Sequence, residues 1–292
     1  MASIREMRLR IKSVKSLAQV TRALETVSAS KVRKAVQANA ASKPYSEKSW
    51  KVLLHLARQP GRNSLHPLLS ERKEVKKVLV IMVTGDRGLA GSYNVNILRN
   101  TLFHFDNLGF PVSYFCVGKK GRDLLLRRKE KVIADFSDIN NPATFLEISP
   151  ISRMAVTEFL NEEYDKVFLS YTQFNTMTNQ TPVIRQILPL EIDTSGKGFN
   201  ATHVTPNSVF TYEPEQSALL DEIIPRFTAM QIFQAVLSAQ ASEHAARMIA
   251  MSNATENANE LVGLLTLQYN KARQQSITGE MLDIVGGAAA QA

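Results

Sequence analysis

The sequence has little of what enzymes commonly use for catalysis or crosslinking. Its 292 residues include one cysteine, Cys116, so no internal disulfide or thiol switch can form. The apolar run around Cys116 favours a buried core residue over a nucleophile. No apolar run reaches the roughly 18 residues that a membrane-spanning helix needs. With no secretory signal pattern either, we expect a soluble protein made in the cytoplasm.

Catalytic and metal-binding motifs are also missing. The five histidines have no metal-ligand spacing, no G-x-S-x-G motif occurs, and no acid/base pair stands out. We therefore predict no catalytic residue, no metal site and no cofactor. The bases of residues 1–58 do not segregate onto one face and have few aromatic neighbours, which argues against nucleic acid or lipid as a partner.

The most enzyme-like feature is the turn Gly85-Asp-Arg-Gly-Leu-Ala-Gly91, between a predicted strand and a predicted helix. Phosphates bind at such helix N-termini. Its spacing fits neither the lysine-containing phosphate loop nor the dinucleotide loop G-x-G-x-x-G. We interpret it as a tight turn with close helix–sheet contact. The alternative function is a nucleotide-binding α/β protein with a coiled-coil scaffold.

The longest uniform stretch is residues 213–292, which contain no proline after Pro225. Apolar residues recur there three and four apart, which predicts one stripe on a long helix. Sixty residues of helix would extend about 90 Å, more than a compact domain's diameter. Only a partner helix or a sleeve of other proteins could cover such a stripe.

Residues 3–58 read as a second long helix. Its apolar residues recur three and four apart at Ile4, Met7, Ile11 and Val14. The stripe then shifts by one residue and continues as Leu17, Val20, Leu24 and Val27. Pro44 interrupts the pattern, and we expect a bend or an irregular turn there.

The net charge of +8 is unevenly distributed. Residues 1–58 hold thirteen bases and three acids, whereas residues 213–292 hold nine acids and four bases. Opposite charge on the two segments is what mutually packed helices would show, because it disfavours wrong pairings.

The middle of the chain alternates apolar runs with helical stretches, which predicts a mostly parallel sheet. We expect strands at 78–83, 112–117, 132–136, 167–171 and 183–188, and helices at 94–107, 122–129 and 142–162, the last broken near Pro150. The predicted fold is therefore α/β, with a long antiparallel two-helix coiled coil from the N- and C-terminal segments and an inserted Rossmann-like α/β domain. We expect the N-terminal helix of the coiled coil at 1–58, the α/β foot domain at 75–208 and the C-terminal helix of the coiled coil at 213–292.

Three stretches resemble the gamma subunit of the bacterial F-type ATP synthase family. They are residues 4–31, the glycine turn 84–91, and residues 241–248 continuing through 269–288 with Ile277-Thr278, Glu280, Asp283 and Gly287-Ala288. The resemblance covers essentially the whole chain. It implies a non-catalytic central rotor shaft that transmits rotation of the membrane c ring to the catalytic beta subunits, or the reverse during hydrolysis.

The resemblance also implies partners and a location. The partners are three alpha and three beta subunits, the epsilon subunit and the c-subunit ring. The implied location is peripheral, on the cytoplasmic face of the bacterial plasma membrane, with membrane contact only through the complex.

Contact residues carry over from the matched stretches. Those that resemble beta-subunit contacts are Leu24, Arg273, Gln274 and Thr278. Those that resemble contacts with the c ring and epsilon are Phe210, Tyr212 and Glu213. Each could instead be an ordinary exposed helix or loop residue.

Overall fold

The computed structural model describes residues 4–57, 67–70, 72, 74–106, 109–190 and 216–289. Two long helices, α1 (Ile4–Ala57) and α5 (Gln216–Ala289), flank the elements of an α/β domain. Between them lie, in chain order, β1 (Val78–Val83), α2 (Tyr93–Asp106), β2 (Val112–Val117), α3 (Lys119–Arg127), β3 (Lys131–Phe136), α4 (Phe145–Leu160), β4 (Lys166–Phe174) and β5 (Gln180–Leu188). A short 3₁₀ turn, Pro67–Leu69, precedes β1. The predicted fold class is confirmed.

Residue contacts divide the chain into two compact units. The first comprises Met1–Ser28 with Arg247–Ala292, and the second is Ala29–Ala246. Parts of both long helices therefore group with the sheet.

The sheet has the strand order β3-β2-β1-β4-β5. Strands β1 to β4 run parallel, and β5 pairs with β4 in the antiparallel direction. All six residues of β1 are buried. Its alternate side chains enter two cores: Leu79, Ile81 and Val83 pack with residues of α4 and α5, and the intervening ones pack with α2 and α3. A strand covered on both faces explains the continuous apolar run.

Three prolines lie inside helices. Pro44 is within α1, Pro150 within α4 and Pro225 within α5. The expected break near Pro150 is wrong, because α4 continues through it with Ile148 and Ile151 fully buried on either side. Burial of the flanking turns holds the helix across the one hydrogen bond that a proline removes. Helix α1 also continues through Pro44, so no irregular turn interrupts it there, and the bend stays a prediction.

Candidate functional site

The first unit is an antiparallel pair of helices with a regular seam. Buried or half-buried α1 residues recur three and four apart along the seam: Ile4, Met7, Ile11, Val14, Ala18, Thr21, Glu25 and Ser28. The α5 residues of the seam follow the same spacing: Met251, Thr255, Ala258, Val262, Leu265, Tyr269 and Ala272. Such spacing is that of a coiled coil.

Two cross-helix contacts fix the antiparallel direction. The hydroxyl oxygens of Thr21 and Thr255 lie 2.7 Å apart, and both are buried. Towards the start of α1, the Arg8 guanidinium donates to the Tyr269 hydroxyl at 2.7 Å and lies over its ring. This hydrogen bond raises the pKa of Arg8. Since α1 residue numbers rise while their α5 partners' numbers fall, the helices run in opposite directions.

The seam does not shift by one residue as the sequence predicted. It continues through Ala18 and Thr21, so Leu17, Val20 and Val27 lie outside it and are 56%, 56% and 53% exposed. Together with half-buried Leu24 they form a second stripe beside the seam. We call Leu17, Val20, Leu24 and Val27 the outer stripe. From Ala18 to Ser28 the α1 side of the seam thus carries small side chains, and the larger apolar side chains lie beside it.

The predicted contact residues fall into two groups. Leu24 belongs to the outer stripe, and Arg273, Gln274 and Thr278 are exposed on α5. Exposure leaves the three α5 side chains open to another chain. The predicted c-ring and epsilon contacts lie outside the described residues: Phe210, Tyr212 and Glu213.

The glycine turn is closed by the protein's own groups. The backbone N–H of Gly85 donates to Asn94 Oδ1 at 2.9 Å. The Asp86 carboxylate accepts from the backbone N–H of Lys119 at 2.9 Å and of Asp138 at 3.1 Å. Backbone donors near a phosphate loop normally face the ligand, whereas these donors are bound to side chains.

A carboxylate of α5 occupies the space above the turn. A Cβ built on Gly85 would lie 2.6 Å from the Glu243 carboxyl carbon, so glycine is what allows this close approach. A phosphate would meet a negative charge at this place. The geometry is that of tight helix–turn packing, as the structural interpretation of the turn expected.

Neighbouring α5 residues bind the same edge of the sheet. Ser242 donates its hydroxyl to the Thr172 carbonyl at 3.1 Å, and Ser238 Oγ accepts from the Phe174 N–H at 2.9 Å. The Ala239 carbonyl accepts from the Tyr93 hydroxyl at 3.1 Å.

A glutamine and a histidine of α5 reach the loop after β3. The Gln240 amide donates to the Asn140 carbonyl at 2.7 Å and accepts from the Ala143 N–H at 3.0 Å. His244 Nε2 contacts the Asn141 amide. The two α5 side chains thus contact three residues of this loop, Asn140, Asn141 and Ala143.

The part of the chain that the structure describes contains neither a candidate metal-binding group nor a candidate membrane-spanning helix. No group of three His, Cys, Asp or Glu residues there could hold a metal ion. None of the helices in those same residues is long and apolar enough to cross a membrane. Cys116 is fully buried, and this burial raises the pKa of its thiol to about 12.

Comparison with known proteins decides the family. A family model described as ATP synthase matches residues 3–291. The ATP synthase gamma chain of Dehalococcoides mccartyi strain 195 is 45% identical over 100% of both chains. That of Roseiflexus sp. strain RS-1 is 41% identical over 100% of this chain and 99% of its own. The chain belongs to the ATP synthase gamma chain family.

Solved structures agree with this membership. A chain in the central stalk/c-ring structure of the Tetrahymena thermophila mitochondrial ATP synthase is 25% identical, with a TM-score of 0.62 over 80% of this chain and 99% of that chain. A chain in a Euglena gracilis mitochondrial ATP synthase structure shares the fold, with a TM-score of 0.68 at 19% identity over 99% and 94%. The resemblance stated from the sequence and the central-stalk role are both confirmed.

Sequence reasoning missed the α5 residues at the sheet edge. In a gamma chain helix, Ser238, Gln240, Ser242 and Glu243 read as ordinary polar interruptions of an apolar stripe. The close spacing of these four polar residues in the sequence was a usable signal. Four polar residues within six positions do not suit a helix face that is otherwise buried, unless each has a partner.

Proposed function

We propose that the chain is the central rotor shaft of a proton-translocating F-type ATP synthase. It transmits rotation of the membrane c ring to the catalytic beta subunits and so drives ATP synthesis, or works in reverse during hydrolysis. The chain is itself non-catalytic and acts mechanically. The observation that carries this proposal is the outer stripe of the coil.

The outer stripe inverts the usual order of a two-helix coil. Larger apolar side chains normally fill the seam, as they do here from Ile4 to Val14. In the next part of α1, Ala18, Thr21 and Ser28 fill it while Leu17 and Val27 are exposed. An isolated coil gains nothing from exposing these side chains, whereas an enclosing partner would cover them. On α5, Leu264 and Leu267 are also exposed, so apolar surface is present on both helices.

The unequal faces of the coil supply a physical basis for coupling. The outer stripe lies on one side of α1, so a ring of similar subunits around the coil would meet different side chains at each position. A ligand shifts an equilibrium only as far as it binds the two states unequally. An asymmetric shaft can therefore favour a different nucleotide affinity in each beta subunit.

The segments and partners follow from this role. Segments 1–58 and 213–292 form the shaft helices, and 75–208 forms the foot. The partners are three alpha and three beta subunits, epsilon and the c ring. Leu24, Arg273, Gln274 and Thr278 contact beta subunits, while the foot contacts with the c ring and epsilon are made by Phe210, Tyr212 and Glu213. The complex holds the chain peripherally at the cytoplasmic face of the bacterial plasma membrane, without nucleic acid.

The test is assembly of the complete complex in liposomes, with and without this chain, followed by measurement of ATP-driven proton pumping. Arg273→Ala with Gln274→Ala should slow coupled turnover. The matched control is Lys271→Ala with Gln275→Ala, which also removes one cationic side chain and one glutamine amide from exposed positions, but on another face, since each residue turns the helix by about 100°. Equal effects of the two pairs would contradict the proposed beta contacts.

A separate measurement addresses the alternative function. Calorimetry with ATP on the full chain should give no tight binding, because Glu243 places a carboxylate over the glycine turn. Stoichiometric tight binding that Gly85 substitutions abolish would favour the nucleotide-binding alternative.

A further inference from the structure

Helix α5 crosses the edge of the sheet where the parallel strands end. Its partners there are Thr172 and Phe174 at the end of β4, Gly85 after β1, and the loop from Asn140 to Ala143 after β3. In open α/β sheets, ligands bind in the crevice outside the carboxyl ends of the strands, at the point where the strand order reverses. The reversal here falls between β1 and β4. The protein's own helix thus lies where such folds hold a ligand.

We propose that residues 238–244 of α5 form a clamp that fastens the shaft helix to the α/β domain and carries torque between them. The inference rests on the proposed rotor function and assigns positioning residues for it. The clamp residues are Ser238, Ala239, Gln240, Ser242, Glu243 and His244. The same helix continues to Ala289, so torque taken up at the clamp is delivered along one continuous element.

The distribution of the clamp contacts around the helix suits this role. At about 100° per residue, these six residues span about 240° of the helix circumference. A helix held on one side could roll about its axis, whereas one held around two thirds of its circumference cannot. Ser238, Ala239, Ser242 and His244 are buried, so water does not compete for their contacts.

The α/β domain contacts the clamp through a strand and a helix as well as through loops. Thr172 and Phe174 belong to β4 and pair there with β5, so the Ser238 and Ser242 bonds end on the sheet itself. Tyr93 begins α2, and its hydroxyl reaches the Ala239 carbonyl. Force on the helix is therefore shared among separate elements and does not rest on one loop.

The glycine turn contributes a contact that can be altered without disturbing the fold. A methyl group at position 85 would meet the Glu243 carboxylate at 2.6 Å. A Cβ at position 85 would displace this carboxylate, which is the far end of a flexible side chain, so the backbone of the turn and of α5 need not move. Gly88, in the same turn, has nothing within 4 Å of its Cβ position. Gly85→Ala and Gly88→Ala are thus a matched pair that differ in the clamp contact.

The stronger perturbation is the triple variant Ser238→Ala, Gln240→Ala, Ser242→Ala. Alanine favours helix, so α5 is retained while the side-chain bonds to the domain are removed. If each bond shifts the attachment equilibrium about fivefold, removing the four side-chain bonds of these three residues should raise the detached population about six-hundredfold. Detachment should spare ATP hydrolysis by the catalytic ring, because it does not require torque to reach the foot.

The experiment uses the complete complex in liposomes and measures ATP hydrolysis and proton pumping together, under a rising opposing proton gradient. We expect the triple variant to hydrolyse ATP but to pump fewer protons per ATP. This ratio should fall further as the opposing gradient rises. Gly85→Ala should show the same trend with smaller size, and Gly88→Ala should match the unaltered complex. Hydrogen exchange of residues 238–244 in each complex reports whether the clamp has loosened.

The outcomes separate the clamp from the rotor function. If exchange shows a loosened clamp while coupling at the highest gradient equals that of the unaltered complex, the clamp does not carry torque. If the triple variant fails to assemble, the glycine pair decides, and equal coupling by Gly85→Ala and Gly88→Ala overturns the proposal. A complex that lacks this chain and still couples hydrolysis to pumping would overturn the rotor function itself.

Discussion

The hydroxyl pair in the seam of the coil should set the register of the two helices. Thr21 and Thr255 are buried and their oxygens lie 2.7 Å apart. Each hydroxyl also lies within hydrogen-bond distance of a carbonyl of its own helix, Ala18 at 3.1 Å for Thr21 and Met251 at 2.8 Å for Thr255. Sliding one helix by a turn would place each hydroxyl against an apolar or unrelated neighbour. A single polar pair in a seam can specify register in this way.

The magnitude follows from what each substitution leaves behind. Thr21→Val removes the cross-helix bond but leaves the Thr255 hydroxyl buried against a methyl group, at a cost of about 1 kcal/mol. Thr255→Val should cost about the same for the converse reason. The double variant leaves no buried hydroxyl at the pair, and such paired replacement is nearly neutral. Valine and threonine have similar helix propensity, so the helices themselves contribute little difference.

Hydrogen exchange of the full chain measures this cycle. Each single variant should speed exchange of the amides around positions 21 and 255 by about fivefold, which corresponds to 1 kcal/mol. In the double variant, the increase in exchange rate should be smaller than the product of the increases in the two single variants. Thr26→Val, which removes an exposed hydroxyl bonded only to the Arg22 carbonyl, is the control and should change little. A double variant whose cost equals the sum of the two single costs would refute the pairing.

Two titratable groups of the sheet domain give further predictions. Because burial raises the pKa of Cys116 to about 12, we expect no alkylation in the native chain at mildly alkaline pH and rapid alkylation after denaturation; fast native labelling would contradict this. Burial pushes the pKa of Asp165 up, but hydrogen bonds from Lys76, Lys77 and Arg72 outweigh it, so the pKa is lowered. Its stabilising contribution is full above an ordinary carboxylate pKa of about 4 and is lost as pH falls through the lower folded value. Asp165→Asn should therefore lower stability at neutral pH in denaturant unfolding and flatten its acid dependence; an unchanged acid slope would count against this assignment.

The strands of the sheet were predictable where burial on both faces produces a continuous apolar run in the sequence. The predicted strands 78–83 and 112–117 match β1 and β2, the central strands whose residues are almost all buried. The predicted strand 167–171 is too short, because β4 continues through Thr172 and Gln173 to Phe174. Pairing with β5 supplies hydrogen bonds to these polar residues, and a sequence pattern carries no sign of that partner.

The clamp was not predictable, because its contacts join residues far apart in the chain. Gly85 and Glu243 are each unremarkable in their local sequence, and only the fold brings the carboxylate onto the turn. The glycine spacing did exclude the standard phosphate loops, and this exclusion needed no structure. Spacing can thus reject a ligand motif, but it cannot identify what replaces the ligand.

The outer stripe shows why a hydrophobic pattern cannot by itself assign a coil seam. Leu17, Val20, Leu24 and Val27 have the spacing and size expected of a core, and on hydrophobicity alone they outrank Ala18 and Thr21. The structure buries the smaller residues because two helices that approach closely have little room between them. The larger residues then need a cover that lies outside this chain. Two apolar stripes on one helix therefore indicate two different partners, here α5 for the seam and, on the proposed function, the surrounding subunits for the outer stripe.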